Sequence, residues 1–204
     1  MAGAGARSPR RLVSAAVAFK SLRHRTAYSR SMLDHFRRVF LRDIDTLRRE
    51  VELYPDDLAP WKEVPGLPNT GGTLAVHLVG NLRHYVGAQL GKTGYVRDRE
   101  GEFSVRGLSR QAILQLVAAA RREVGDALVR LDPSALEAPF PAPILGQSLP
   151  AGLFLLHLAA HLSFHTGQID YHRRAVTGAS VSAGTVSLPA LFETAPDASP
   201  SPRR

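Results

Sequence analysis

The sequence predicts an all-α protein, a four-helix bundle with long crossover loops. Two observations lead there. Four stretches of about 20 residues carry apolar side chains at the spacing of an amphipathic helix, and none alternates as a strand does. The connections between them are about 16 to 18 residues long and rich in Pro and Gly. Helices in a simple up-down path need only short turns, so such lengths imply a crossover.

Residues 1–33 hold seven basic residues and no acidic one, with many Ala and Ser. That composition is similar to an organelle transit peptide, and a start at Met32 explains it equally well. We expect a basic extension outside the fold, disordered apart from a helical patch near Leu12–Leu22. The net charge of +8 is concentrated there, because the rest of the chain sets 19 Lys and Arg against 18 acidic residues and carries only about +1. A near-neutral folded part lacks an electrostatic footprint for nucleic acid. Its apolar runs are far too short to span a membrane. With no cysteine there are no disulfides, no thiolate ligands and no cysteine nucleophile, which fits a reducing, cytoplasmic setting.

The first helix is expected from Ser31 to Tyr54, with Leu33, Phe36, Val39, Phe40, Ile44, Leu47 and Val51 as its stripe; Pro55 ends it. Residues 55–70 form a loop with four prolines that packs Trp61 against the bundle. Asn69-Thr70 is a capping signal for a second helix from about Gly72 to Leu90, with Leu74, His77, Leu78, Asn81, Leu82, Tyr85 and Ala88 facing inward. A glycine-rich, charged connection follows over Gly91–Gly107. Ser109 caps a third helix that Asp132-Pro133 stops near Leu131, and a proline-rich loop leads to Ser148 and Pro150. The fourth helix closes at Gly178, and the tail over 179–204 is expected to be mostly disordered. The bundle itself is assigned to residues 34–178.

Chemistry concentrates in the fourth helix, LFLLHLAAHLSFHTGQIDYHRR. His157, His161 and His165 recur every four residues, with Gln168 and His172 continuing the same side. We expect a buried helix with a polar seam. Adjacent members lie roughly 6 Å apart, close enough to share one metal ion, whereas His157 and His165 are about 12 Å apart along the axis. The usable pair is therefore 157/161 or 161/165. One helix supplies two ligands, so a third must come from elsewhere, and His77 on the inner face of the second helix is the best candidate; His35 and His84 neighbour basic residues and are weaker. Asn81, His157 and Gln168 are candidates to orient ligands or substrate. The carboxylates near the histidine helix reduce to Asp170, which excludes a carboxylate-bridged two-metal site. Gly87–Thr93, GAQLGKT, has one residue too few between its glycines for a phosphate loop and follows a helix, so a helix C-terminus at Gly91 accounts for it. No G-x-S-x-G is present.

His77 in LAVHLVGNLRHYVG combined with HLAAHLSFHTGQIDYHRR resembles the DinB superfamily of metal-binding four-helix bundles, over about residues 34–178. The His-x-x-x-His-x-Gly-Gln element with an upstream histidine in helix two carries the resemblance. It implies His77, His161 and His165 as ligands of a divalent ion such as zinc or nickel, which selects the 161/165 pair. Thr166 stands where such proteins commonly have Arg, and Phe164 where they commonly have His. Relatives include thiol-dependent S-transferases and isomerases, among them mycothiol-dependent maleylpyruvate isomerases, that use low-molecular-weight thiols. The resemblance therefore implies a metal-dependent transferase, isomerase or hydrolase that activates such a thiol or water toward a small-molecule substrate. Arg83, Arg97, Arg99 and Arg106 are placed to meet an anionic cofactor at the bundle mouth. The alternative is a non-catalytic metal-binding stress or interaction protein with the same three histidines. A metal-free bundle that docks a partner would instead pair the histidines with polar groups. A homodimer through exposed apolar helix faces is compatible with either.

Overall fold

Each of the four apolar stripes becomes a helix. The computed structural model describes residues 10–184 and 186–193. Helix α1 is Arg10–Glu52, α2 Gly71–Leu82, α3 Arg99–Ser104, α4 Arg110–Arg130, α5 Ala151–Thr177 and α6 Ala190–Glu193. The predicted caps act as expected: Thr70 Oγ1 accepts from Thr73 N at 3.2 Å, and Ser109 Oγ accepts from Ala112 N at 3.1 Å. Gly178 ends α5 in the left-handed region, φ 71°, which its missing Cβ allows.

Helix α1 packs against α4 and α5, and α2 packs against the same two, whereas α1 and α2 barely touch. The four long helices thus form a ring in which α1 lies diagonal to α2, and α4 to α5. A diagonal step needs a long connection, and residues 53–70 and 131–150 supply the two; the segment that leads from the second helix to α4, residues 91–109, is comparably long and carries α3. Phe40, Ile44, Leu78, Leu82, Ile113, Val124, Leu155, Leu158, Leu162 and Ile169 fill the space between. Trp61 packs as predicted, with its Nε1 donating to Leu108 O at 2.9 Å. No helix among the described residues is long and apolar enough to cross a membrane.

Four features differ from the sequence reading. Helix α1 begins at Arg10, not near Ser31, so the backbone is helical through most of the basic extension; residues 1–9 lie outside the described residues. The second helix continues past Leu82 as a π-helix over Arg83–Leu90, with Gly91 N bonded to Val86 O at 2.9 Å. The wider turn shifts the buried position by one, so Val86 is fully buried while Tyr85 and Ala88 are half-buried. The connection after it contains the short helix α3, capped by Asp98, whose Oδ1 accepts from Gly101 N at 2.8 Å.

The start of the predicted tail is also tied down. Arg173 joins Glu50 and Asp170 in a buried ionic cluster, at 2.6 and 3.0 Å, and donates to Val181 O. Arg49 donates to Ala183 O. Residues 194–204 lie outside the described residues.

Candidate functional site

His77 leaves α2 one turn before Gly80 and Asn81, on the face turned toward α5. His161 and His165 leave α5 one turn apart. Helix α5 is not buried all round: Leu153, Leu156, Phe164 and Tyr171 are exposed, and the histidine seam lies at the edge of a cleft. The cleft measures about 640 Å³. Helices α2 and α5 form its walls, and both long loops reach over it, with Arg97, Arg99 and Phe103 from one and Ile144 and Leu145 from the other.

Three imidazoles converge on this wall. The ring centroids of His77 and His161 are 5.2 Å apart, those of His77 and His165 5.5 Å, and those of His161 and His165 4.5 Å. One ligand atom from each lies within 4.8 Å of the others. His77 Nε2 and His161 Nε2 are 3.3 Å apart. A tetrahedral ion with nitrogen ligands at ~2.1 Å holds them roughly 3.4 Å apart, so this pair already has the required spacing.

The other ring nitrogens are held from behind. His77 Nδ1 lies 3.0 Å from Glu102 Oε2, and Arg97 donates to the same carboxylate through Nε at 2.6 Å and Nη2 at 2.7 Å. Burial pushes the Glu102 carboxyl up, but the bonds and charge of Arg97 and the bond to His77 outweigh it and hold it below its ordinary range. An ionised carboxylate only accepts, so the His77 proton sits on Nδ1 and the Nε2 lone pair faces the cleft. His165 Nδ1 donates to Gln168 Oε1 at 2.6 Å, which turns its Nε2 lone pair outward in the same way.

His161 is held neutral by its surroundings. Burial, then His165, His77 and His157 and the Arg97 charge, push its imidazole down to about 4. Burial lowers His165 as well, opposed by the Gln168 bond. Neutral imidazole is the form that binds a metal. His161 Nδ1 and Asn81 Oδ1 are buried and have no hydrogen-bond partner among the described residues. The donor set thus fits a transition ion: three imidazole nitrogens, two of them oriented by hydrogen bonds from behind.

The remaining candidates separate. His157 lines the cleft, exposed and stacked on Phe154 and His161, but stands outside the three-histidine group. His172 is core structure: Tyr54 Oη lies 2.7 Å from its Nδ1, and its Nε2 donates to Lys62 O at 2.8 Å. His35 is exposed beside Ser31, and His84 packs on Tyr85. Of the four arginines, Arg97 and Arg99 line the cleft. Arg83 is paired with Glu123, and Arg106 bonds the carbonyls of Phe103 and Val105.

Glu102 was not foreseen. The only carboxylate expected near the histidine helix, Asp170, is paired with Arg173, whereas Glu102 arrives from α3. Gly80 lets it in, since a Cβ there would collide with the Glu102 carboxylate. A six-residue helix carries too little periodicity to be read from sequence, and only the Asp98 cap marked it.

A family model described as the DinB superfamily matches residues 40–169. Comparison with curated proteins returns no match, and comparison with solved structures returns none.

Proposed function

The chain belongs to the DinB superfamily, and from that premise we propose that it is a cytoplasmic metalloenzyme in which His77, His161 and His165 hold one divalent ion, zinc or nickel. Its substrate is a small molecule, and the group it activates is a low-molecular-weight thiol, in a transfer or isomerisation, or water. The observation that carries this reading is the convergence of three imidazoles on the wall of an open cleft. Three protein ligands leave a coordination position free, and a cleft of about 640 Å³ falls within the size range of substrate pockets. A non-catalytic metal protein has no use for that opening, so the cleft favours the enzyme.

An ion held by these three imidazoles would supply a Lewis acid and bring the pKa of a bound thiol or water down toward the physiological range. The chain's own residues prepare the place for it. Glu102, kept ionised by Arg97, fixes the tautomer of His77, and Gln168 does the same for His165. Arg99 stands in the cleft wall with its guanidinium over Phe103 and faces an anionic part of the substrate. Asn81 offers a buried acceptor without a partner, and His157 presents an imidazole outside the ligand set that can exchange a proton with bound substrate.

Elemental analysis of untagged protein tests the core of the proposal, beside His161→Ala and His165→Ala. About one ion per chain, lost in both variants, is expected. No ion in the parent after incubation with zinc or nickel refutes it.

A further inference from the structure

A second groove, of about 400 Å³, lies beside the three-histidine cleft. Asn69 and Leu74 line both, so the two spaces share a wall. Gln168 also lines the groove, and its Oε1 is the atom that accepts from His165 Nδ1. The far side is apolar: Leu67 and Pro68 come from the loop before α2, and Phe164 and Tyr171 from α5. Phe164 and Tyr171 are 63% and 71% exposed, two helical turns apart on the helix that carries the histidines. Gly167 stands between them. A Cβ there would meet nothing within 4 Å, so internal packing does not require glycine at this position. Glycine inside a helix weakens it, and what its bare backbone achieves here is an open groove floor.

We propose that this groove is the subsite for the apolar arm of the substrate, an aliphatic chain or flat ring whose polar head lies at the three histidines. The inference rests on the metal-site reading above and adds the substrate's character: an amphipathic small molecule. Continuity with the cleft and size both point to such an arm. One turn of a docking helix, ~10 Å across and 5.4 Å long, would already fill the groove. The charges agree: Arg97, Arg99 and the histidines line the cleft, whereas the groove has no charged lining residue, and Asn69 and Gln168 are its polar side chains.

The test is calorimetric titration of zinc-loaded full-length protein with acetohydroxamate, butanohydroxamate, hexanohydroxamate and octanohydroxamate. The head chelates the metal and only the chain grows. Affinity is expected to rise about two- to four-fold per methylene, and this slope is expected to flatten in Gly167→Leu. An affinity independent of chain length overturns the proposal, as does the same slope in parent and variant. Sedimentation that shows a parent dimer broken by Gly167→Leu also overturns it, because the groove is then an interface between copies. Failure of the metal reading is seen separately, as absence of acetohydroxamate binding. In that case octanohydroxamate is added to metal-free protein and followed by NMR: shifts at the Gly167 and Tyr171 amides support the groove as a chain site, and their absence overturns it.

Discussion

Replacing Glu102 with glutamine separates the charge of this side chain from its shape. The carboxylate takes two bonds from Arg97, at 2.6 and 2.7 Å, and one from His77 Nδ1 at 3.0 Å. Glutamine has the same length but a single acceptor oxygen, so one partner loses its charge-assisted bond whichever way the amide turns. Two effects of different size follow. Arg97, with a side chain 9% exposed, becomes a buried charge without a counter-charge, which costs about 3–5 kcal/mol of stability. His77 loses the anion that orients it, and such a loss weakens metal binding about 10- to 100-fold, or roughly 1.4–2.7 kcal/mol. Zinc affinity, measured by chelator competition at neutral pH, and denaturant unfolding are compared for the parent, Glu102→Gln, and Glu102→Gln combined with Arg97→Met. The double variant removes the stranded charge and is expected to recover most of the stability but not the affinity. If Glu102→Gln binds zinc like the parent, or if affinity returns together with stability, Glu102 acts through packing alone and its assigned role on His77 is wrong.

Acidification is expected to destabilise the metal-free protein between about pH 6.5 and 4. Burial depresses His161 to about 4 and lowers His165 and His172, so below their ordinary range the unfolded chain binds protons that the folded chain refuses. Their contribution is complete above that window and lost as pH falls through it; a midpoint in urea that is flat from pH 7 to 4 would contradict this. Gly80→Ala puts a methyl against the Glu102 carboxylate, with an expected cost of about 1–3 kcal/mol and weaker zinc binding; an unchanged Tm and zinc affinity would show that the carboxylate shifts freely. Tyr54→Phe removes the hydroxyl 2.7 Å from His172 Nδ1 and should cost about 1–3 kcal/mol while leaving the metal content at the parent's value. A lost ion in that variant would mean that His172 belongs to the site.

The bundle was legible because four stripes at helical spacing, with Thr70, Ser109 and Gly178 at their ends, are local signals and tertiary packing did not override them. Helix α1 reaches back to Arg10 for a reason that apolar spacing does not reveal. Once a helix is nucleated, each added residue costs little, and Ala and Arg are strong helix formers, so the stretch before Ser31 extends the helix without needing a stripe of its own. The π-helical shift at Arg83–Leu90 was invisible for the opposite reason: the stripe is regular there, and the backbone departs from it.

The histidine ladder illustrates what spacing can and cannot decide. His165 and His172 are seven residues apart, so they point to nearly the same side of α5 and differ mainly by about 10 Å along its axis. That height decides their fates, because α2 runs antiparallel beside α5 and each step down one helix is matched by a step up the other. Tyr85 meets Phe154, with ring centroids 4.9 Å apart. His77 meets His161 and His165, and one and a half turns earlier Gly71 sits against His172, where a Cβ would lie 2.9 Å from its Nδ1. The one histidine that α2 presents is thus level with the middle of the ladder. His157 lies above that level and keeps to the open cleft, and His172 lies below it and is taken up by Tyr54 and Lys62 O. Which histidines can share an ion is therefore a property of the helix pair. No pattern within α5 alone contains it, whereas His77 placed in an antiparallel partner is enough to select 161 and 165.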